Sequence, residues 1–99
     1  MYTAVKLRTG FYETTCYFME IKNEQVVLSP CNPEPARDTV IIDKDYLISV
    51  FLTRSKLPEL SFETTDGLYI CILGPDLNIY KLLTSLENAL DVKVVVRTP

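Results

Sequence analysis

The sequence contains no histidine and no tryptophan, and only three cysteines and three glycines among its 99 residues. Without histidine, neither a Ser–His or Cys–His nucleophile pair nor a histidine metal site can be built, so catalysis would fall to carboxylates or lysine. Cys16, Cys31 and Cys71 are odd in number and widely spaced, without the C-x-x-C pairs of a zinc or redox site. The expectation is three reduced thiols and no disulfide framework. No window approaches the roughly 18 apolar residues of a membrane span, and "MYTAVKLRTG" lacks the apolar core of a signal peptide, so a cytoplasmic location is expected. Basic runs are missing too. The ten Lys and Arg residues are scattered singly against 13 acidic ones, for a net charge of −3. Such a chain repels phosphate backbones, and nucleic-acid binding is not expected.

What remains is an ordinary globular composition, 47% hydrophobic and 23% charged, outside the range of disorder. A chain of this length makes one domain, residues 1–99, around one core. Apolar and polar residues alternate with a period of two over the first seventy-odd positions, the pattern of half-buried strands. "TAVKLR" (3 to 8) ends near Gly10. "FYETTCYFMEI" (11 to 21) and "VVLS" (26 to 29) form a hairpin about the turn "KNEQ". "TVIID" (39 to 43) and "DYLISVFLT" (45 to 53) follow, and Pro58 forces a turn. "ELSFETT" (59 to 65) and "LYICIL" (68 to 73) flank Asp66–Gly67, a two-residue hairpin signal.

After "GPD" (74 to 76) the period changes. Ile79, Leu82, Leu83, Leu86 and Leu90 form one helical stripe, with Asp76 as the expected cap. "DVKVVVRTP" (91 to 99) returns to strand. The fold class expected is α+β, a curled antiparallel sheet or small barrel closed by one C-terminal amphipathic helix, with an extra C-terminal strand. Phe62, Ile70, Ile72, Leu83 and Leu86 are expected at the centre of the core.

The stretch "TVIIDKDYLISVFLTRSKLPELSFETTDGLYICIL" resembles the middle of pleckstrin-homology-like (PH-like) domains, especially their GRAM and bacterial relatives. "CYFMEIKNEQVVLS" looks like the first hairpin of such a domain, "DYLISV" like its packed turn and "IYKLLTSLENAL" like its closing helix, over roughly residues 14 to 90. The segment before residue 11 and "VKVVV" after the helix depart from that pattern, and profilin-like and other sheet-plus-helix folds stay open beside it. The resemblance implies a scaffold. Lipid binding does not follow from it, because "KNEQ" supplies only Lys22, with Glu20 and Glu24 alongside, where headgroup-binding members cluster several cations.

The remaining candidate chemistry is sparse. Asp43 and Asp45 flank a turn and read as turn formers; Glu59 and Glu63 share the polar face of a strand. Cys31 lies in the loop "SPCNPEPARD" (29 to 38), where three prolines favour a rigid connection, and without an activating base it reads as an inert loop thiol. Cys16 and Cys71 read as core or near-core residues.

No cofactor and no metal are expected. The function expected is a non-catalytic protein-interaction module of PH-like type, binding a protein partner or a second copy through a sheet edge, with Val94, Val95 and Val96 as the contacts. "VKVVV" is too apolar to be left in water. The alternative is a membrane-surface or small-ligand domain using Arg37, Lys44, Arg54 and Lys56, and an enzyme of unknown reaction stands third.

Overall fold

A computed structural model describes residues 1–32 and 38–98. The alternating pattern produces seven strands before the helix: β1 (Tyr2–Arg8), β2 (Thr14–Lys22), β3 (Gln25–Pro30), β4 (Val40–Asp43), β5 (Leu47–Thr53), β6 (Glu59–Thr64) and β7 (Gly67–Leu73). The helix α1 spans Ile79–Leu90, and a last strand, β8, covers Val95–Arg97. In β1, Val5 and Leu7 are buried while Lys6 and Arg8 are exposed, as a period of two requires.

Local chemistry sets the connections. Lys22 pairs with Gln25 across Asn23 and Glu24, and Glu24 adopts φ 69°. Its N–H donates to the Ala89 carbonyl in the last turn of α1, which ties this hairpin to the helix. Between β4 and β5 a single 3₁₀ turn, Lys44–Tyr46, is capped by Asp43, whose Oδ1 accepts from the Asp45 N–H at 2.9 Å. These aspartates do form a turn.

Two boundaries differ from the sequence reading. The β6–β7 turn consists of Thr65 and Asp66, and Gly67 is already paired with Thr64, at φ 142°. The Thr64 hydroxyl accepts from the Asp66 N–H and donates to the Gly67 carbonyl, which fixes the turn one residue earlier than Asp66–Gly67. The helix is capped by Asn78 rather than Asp76, through Oδ1 accepting from the Lys81 N–H at 3.0 Å.

The strands lie in the order β4-β3-β2-β1-β7-β6-β5-β8. Neighbours are antiparallel except β8, which runs parallel to β5. The eight-stranded sheet is curled and does not close: β4 and β8 are its two edges. β1, a departure from the PH-like pattern in the sequence reading, is a central strand between β2 and β7. "CYFMEIKNEQVVLS" is therefore the second hairpin of the sheet.

The inward faces meet in one cluster that includes Met19, Val26, Leu28, Val50, Leu52, Leu60 and Phe62, covered by Leu82, Leu86 and Leu90 of α1. Of the expected core, Phe62 and Leu86 are fully buried. Ile70 and Ile72 are only half-buried, because Cys71 and Leu73 are the inward residues of β7. Leu83 flanks the stripe and packs against its rim.

Candidate interaction surface

The C-terminal valines divide between core and surface. Val94 is 7% exposed and belongs to the core, with its N–H held at 3.0 Å by the Glu87 carboxylate of α1. Val95 and Val96 are 52% and 47% exposed on β8, which pairs with Phe51–Thr53 of the same chain. The tail thus meets its expected pairing inside the chain. The Arg54 N–H donates to the Arg97 carbonyl, so alternation directs the backbone groups of Val95 and Arg97 toward β5 and those of Val96 toward the open edge.

The register assembles a row on the outer face of the sheet that is apolar except at Ser61. Val95 pairs with Phe51, Phe51 with Ser61, and Ser61 with Ile70. Ser61 faces outward yet is only 4% exposed, because Phe51 and Ile70 close over it. Leu68, also exposed, extends the patch along β7, and the Arg97 guanidinium lies 4.1 Å above the Phe51 ring as a polar border. Glu59 and Glu63 lie on the same face, as expected, with Glu59 held by Arg8 at 2.9 Å.

The proposed ligand cations are not brought together. Lys44 lies at the start of β5, 3.7 Å from Glu24, whereas Arg54 and Lys56 follow its other end, about 20 Å away along the strand. Arg37 lies outside the described residues, as do Pro33 and Pro35. Among the described residues, no group of three or more His, Cys, Asp or Glu side chains could hold a metal ion. No described helix is long and apolar enough to cross a membrane.

The cysteine expectation is overturned at two positions. Cys16 and Cys31 form a disulfide, with Cα atoms 5.5 Å apart and the Cys31 N–H donating to the Cys16 carbonyl. The β2–β3 ladder causes this: Tyr17 pairs with Pro30, so the next pair outward is Cys16 with Cys31. Closing a connection of 15 residues contributes about 3 kcal/mol in a chain-entropy account. Cys16 is exposed on the outer face and is no core residue. It borders a shallow apolar cleft of about 240 Å³ with Ala4, Lys6, Leu57, Ile72 and Pro75.

Cys71 is the core thiol, and burial pushes its pKa up to about 12 by penalising the thiolate. The folded state therefore holds its proton where the unfolded chain, titrating near 9.0, releases it. Stability from this group is intact below pH 9.0 and declines as pH rises toward about 12. Two measurements check it: Cys71 should resist alkylation at neutral pH until the protein unfolds, and Cys71→Ala should flatten the alkaline loss of stability. Rapid labelling of Cys71 in the folded protein would contradict its burial.

No protein-family model matches this chain, and no curated protein matches it. Among solved structures it resembles a chain from the "Structure of the Spt16D Pob3N heterodimer", with a TM-score of 0.73 at 10% identity, over 99% of this chain and 53% of that one. At this identity the likeness is one of fold alone. The chain spans about half the length of that neighbour.

The likeness supports the PH-like reading of the fold. The likeness covers nearly the whole chain, including β1 and β8, and extends well beyond the stretch that carries the resemblance in sequence.

Proposed function

We propose that this chain is a non-catalytic protein-interaction module of the bacterial PH-like type, whose contact surface is the outer face of β5–β8 rather than the edge alone. The observation that carries this reading is the unbroken row Val95–Phe51–Ser61–Ile70 with Leu68 beside it. An outward apolar patch rimmed by Arg97 and Glu63 has the composition of a contact surface, with a dry centre and a polar border. The solved structure with the same fold is a heterodimer, which supports protein–protein contact as a use of such a scaffold.

The edge of β8 by itself is a weaker site. It is three residues long, the Val94 donor is already taken by Glu87, and Lys93 and Arg97 flank it, all features that discourage open strand pairing. Two copies paired there would also set like charges near one another. The membrane or small-ligand alternative needs cations gathered at one place, and Lys44 is far from Arg54 and Lys56. Cys71, whose proton affinity is strongly shifted, is sealed in the core and cannot reach a substrate.

A photo-cross-linking amino acid at position 95 or 68, introduced in the producing cell, should yield one discrete heavier adduct. The same group at position 80, exposed on α1, should not. Mass spectrometry of the adduct separates a distinct partner from a second copy, and Ile70→Asp should abolish it. No adduct at 95 or 68, or equal labelling at 80, would remove the basis for this surface.

A further inference from the structure

We propose that the Cys16–Cys31 disulfide is a thiol–disulfide exchange site, opened by a small or protein-borne dithiol that attacks from the cleft beside Cys16. The inference is independent of the interaction surface. Its first ground is access: Cys16 is exposed and Cys31 half-buried, on the outer face of β2 and at the end of β3. Exposed disulfides are the labile ones, whereas those sealed in a core resist reduction.

The second ground is the neighbouring charge. Lys6 on β1 is the direct register partner of Cys16, and both side chains point outward. Directly opposite residues place their Cβ atoms about 4.5 to 5.5 Å apart, within reach of an ammonium to a sulfur. A cation brought to the sulfur favours the thiolate form and therefore its departure or arrival in exchange. Arg8, the next outward residue of β1, is held instead by Glu59.

The third ground is shape. The cleft beside Cys16 is lined by Ala4, Ile72, Leu57 and Pro75, giving the carbon skeleton of an incoming thiol an apolar approach. Neither sulfur takes part in the core: Tyr17, Met19 and Leu28 fill the inward side of the same two strands. Opening the bond therefore frees the two side chains without disturbing the packing beneath, while the Cys31 N–H bond to the Cys16 carbonyl still holds the strand ends together.

The exchange balances as a two-electron step. One thiolate of the dithiol attacks the Cys16 sulfur, the bond to Cys31 breaks, and Cys31 leaves as a thiolate that takes a proton from water. The second thiol of the reductant, deprotonated, then attacks the reductant's own sulfur in the mixed disulfide. Cys16 leaves as a thiolate facing Lys6, and the dithiol departs as its disulfide.

The test is to incubate the native protein with dithiothreitol at pH 7, alkylate aliquots and weigh them. Two new thiols, at positions 16 and 31, should appear while circular dichroism stays native and Cys71 stays unlabelled. Opening should slow severalfold in Lys6→Gln and recover in Lys6→Arg. In the reduced protein Cys16 should alkylate faster than Cys31, and Lys6→Gln should narrow that difference to what exposure alone gives. A disulfide that survives until the fold melts, or one that opens at the same rate in Lys6→Gln, would make it a structural staple and overturn the proposal.

Discussion

Phe62→Ala is expected to destabilise the protein by about 3 to 5 kcal/mol, against about 1 kcal/mol for Ile70→Ala in the neighbouring strand. Phe62 is fully buried and among the largest side chains in the core cluster, so its truncation removes transfer free energy and leaves a cavity. Ile70 pairs with Ser61 on the opposite face of the same hairpin and loses far less contact with its neighbours. Urea unfolding of the two variants would rank them directly, since a lower midpoint at constant slope reports stability alone. If Ile70→Ala proved as costly as Phe62→Ala, the face assignment of β7 would be reversed and the proposed contact surface would vanish with it.

That face was the part of the fold least legible in the sequence. In "LYICIL" both parities are apolar, Leu68, Ile70 and Ile72 against Tyr69, Cys71 and Leu73, so alternation cannot choose between them. The choice falls to the turn. Phe62 points inward, and a two-residue turn pairs the even positions of β6 with the odd positions of β7, Phe62 with Tyr69 and Leu60 with Cys71, which sends Cys71 inward and the isoleucines outward. Where one parity was polar, as in β1 or β6, the reading needed no help. The helix stripe was likewise plain, because Leu82, Leu86 and Leu90 recur at one helical spacing while Tyr80 and Thr84 fall on the exposed side.

The disulfide had a signal that composition concealed. An odd count of three argues for free thiols, yet the turn at Asn23 and Glu24 already determines which residues of β2 and β3 oppose one another. Counting outward equally from that turn brings Cys16 opposite Cys31. The exposed row Val95–Phe51–Ser61–Ile70 was not legible in this way. It needs the parallel pairing of β8 with β5, between segments more than forty residues apart, and no local pattern specifies that contact. The placing of the valines was illegible for the same reason: Val94 has its place in the core, and Val95 and Val96 remain at the surface on the edge strand.

Deleting residues 92–99 should cost about 2 to 4 kcal/mol without changing the molecular mass seen in sedimentation beyond the residues removed. Val94 is buried in the core, and a valine fully removed from water contributes roughly 1.5 to 3 kcal/mol. Val92 packs at the rim of the same cluster, and β8 satisfies backbone groups of β5 that truncation would return to water. For a domain of this size the loss corresponds to a thermal midpoint lower by roughly 10 °C or more. Val95→Asp, which changes an exposed position, should shift the midpoint far less. The pair of variants separates the two roles of the tail. If truncation lowered stability and Val95→Asp removed only the cross-linked adduct, β8 would be a structural strand that also presents a contact. A truncated chain with an unchanged midpoint would mean that β8 and Val94 contribute nothing to the fold. Conversion of a dimer to monomers by Val95→Asp alone would identify the partner as a second copy.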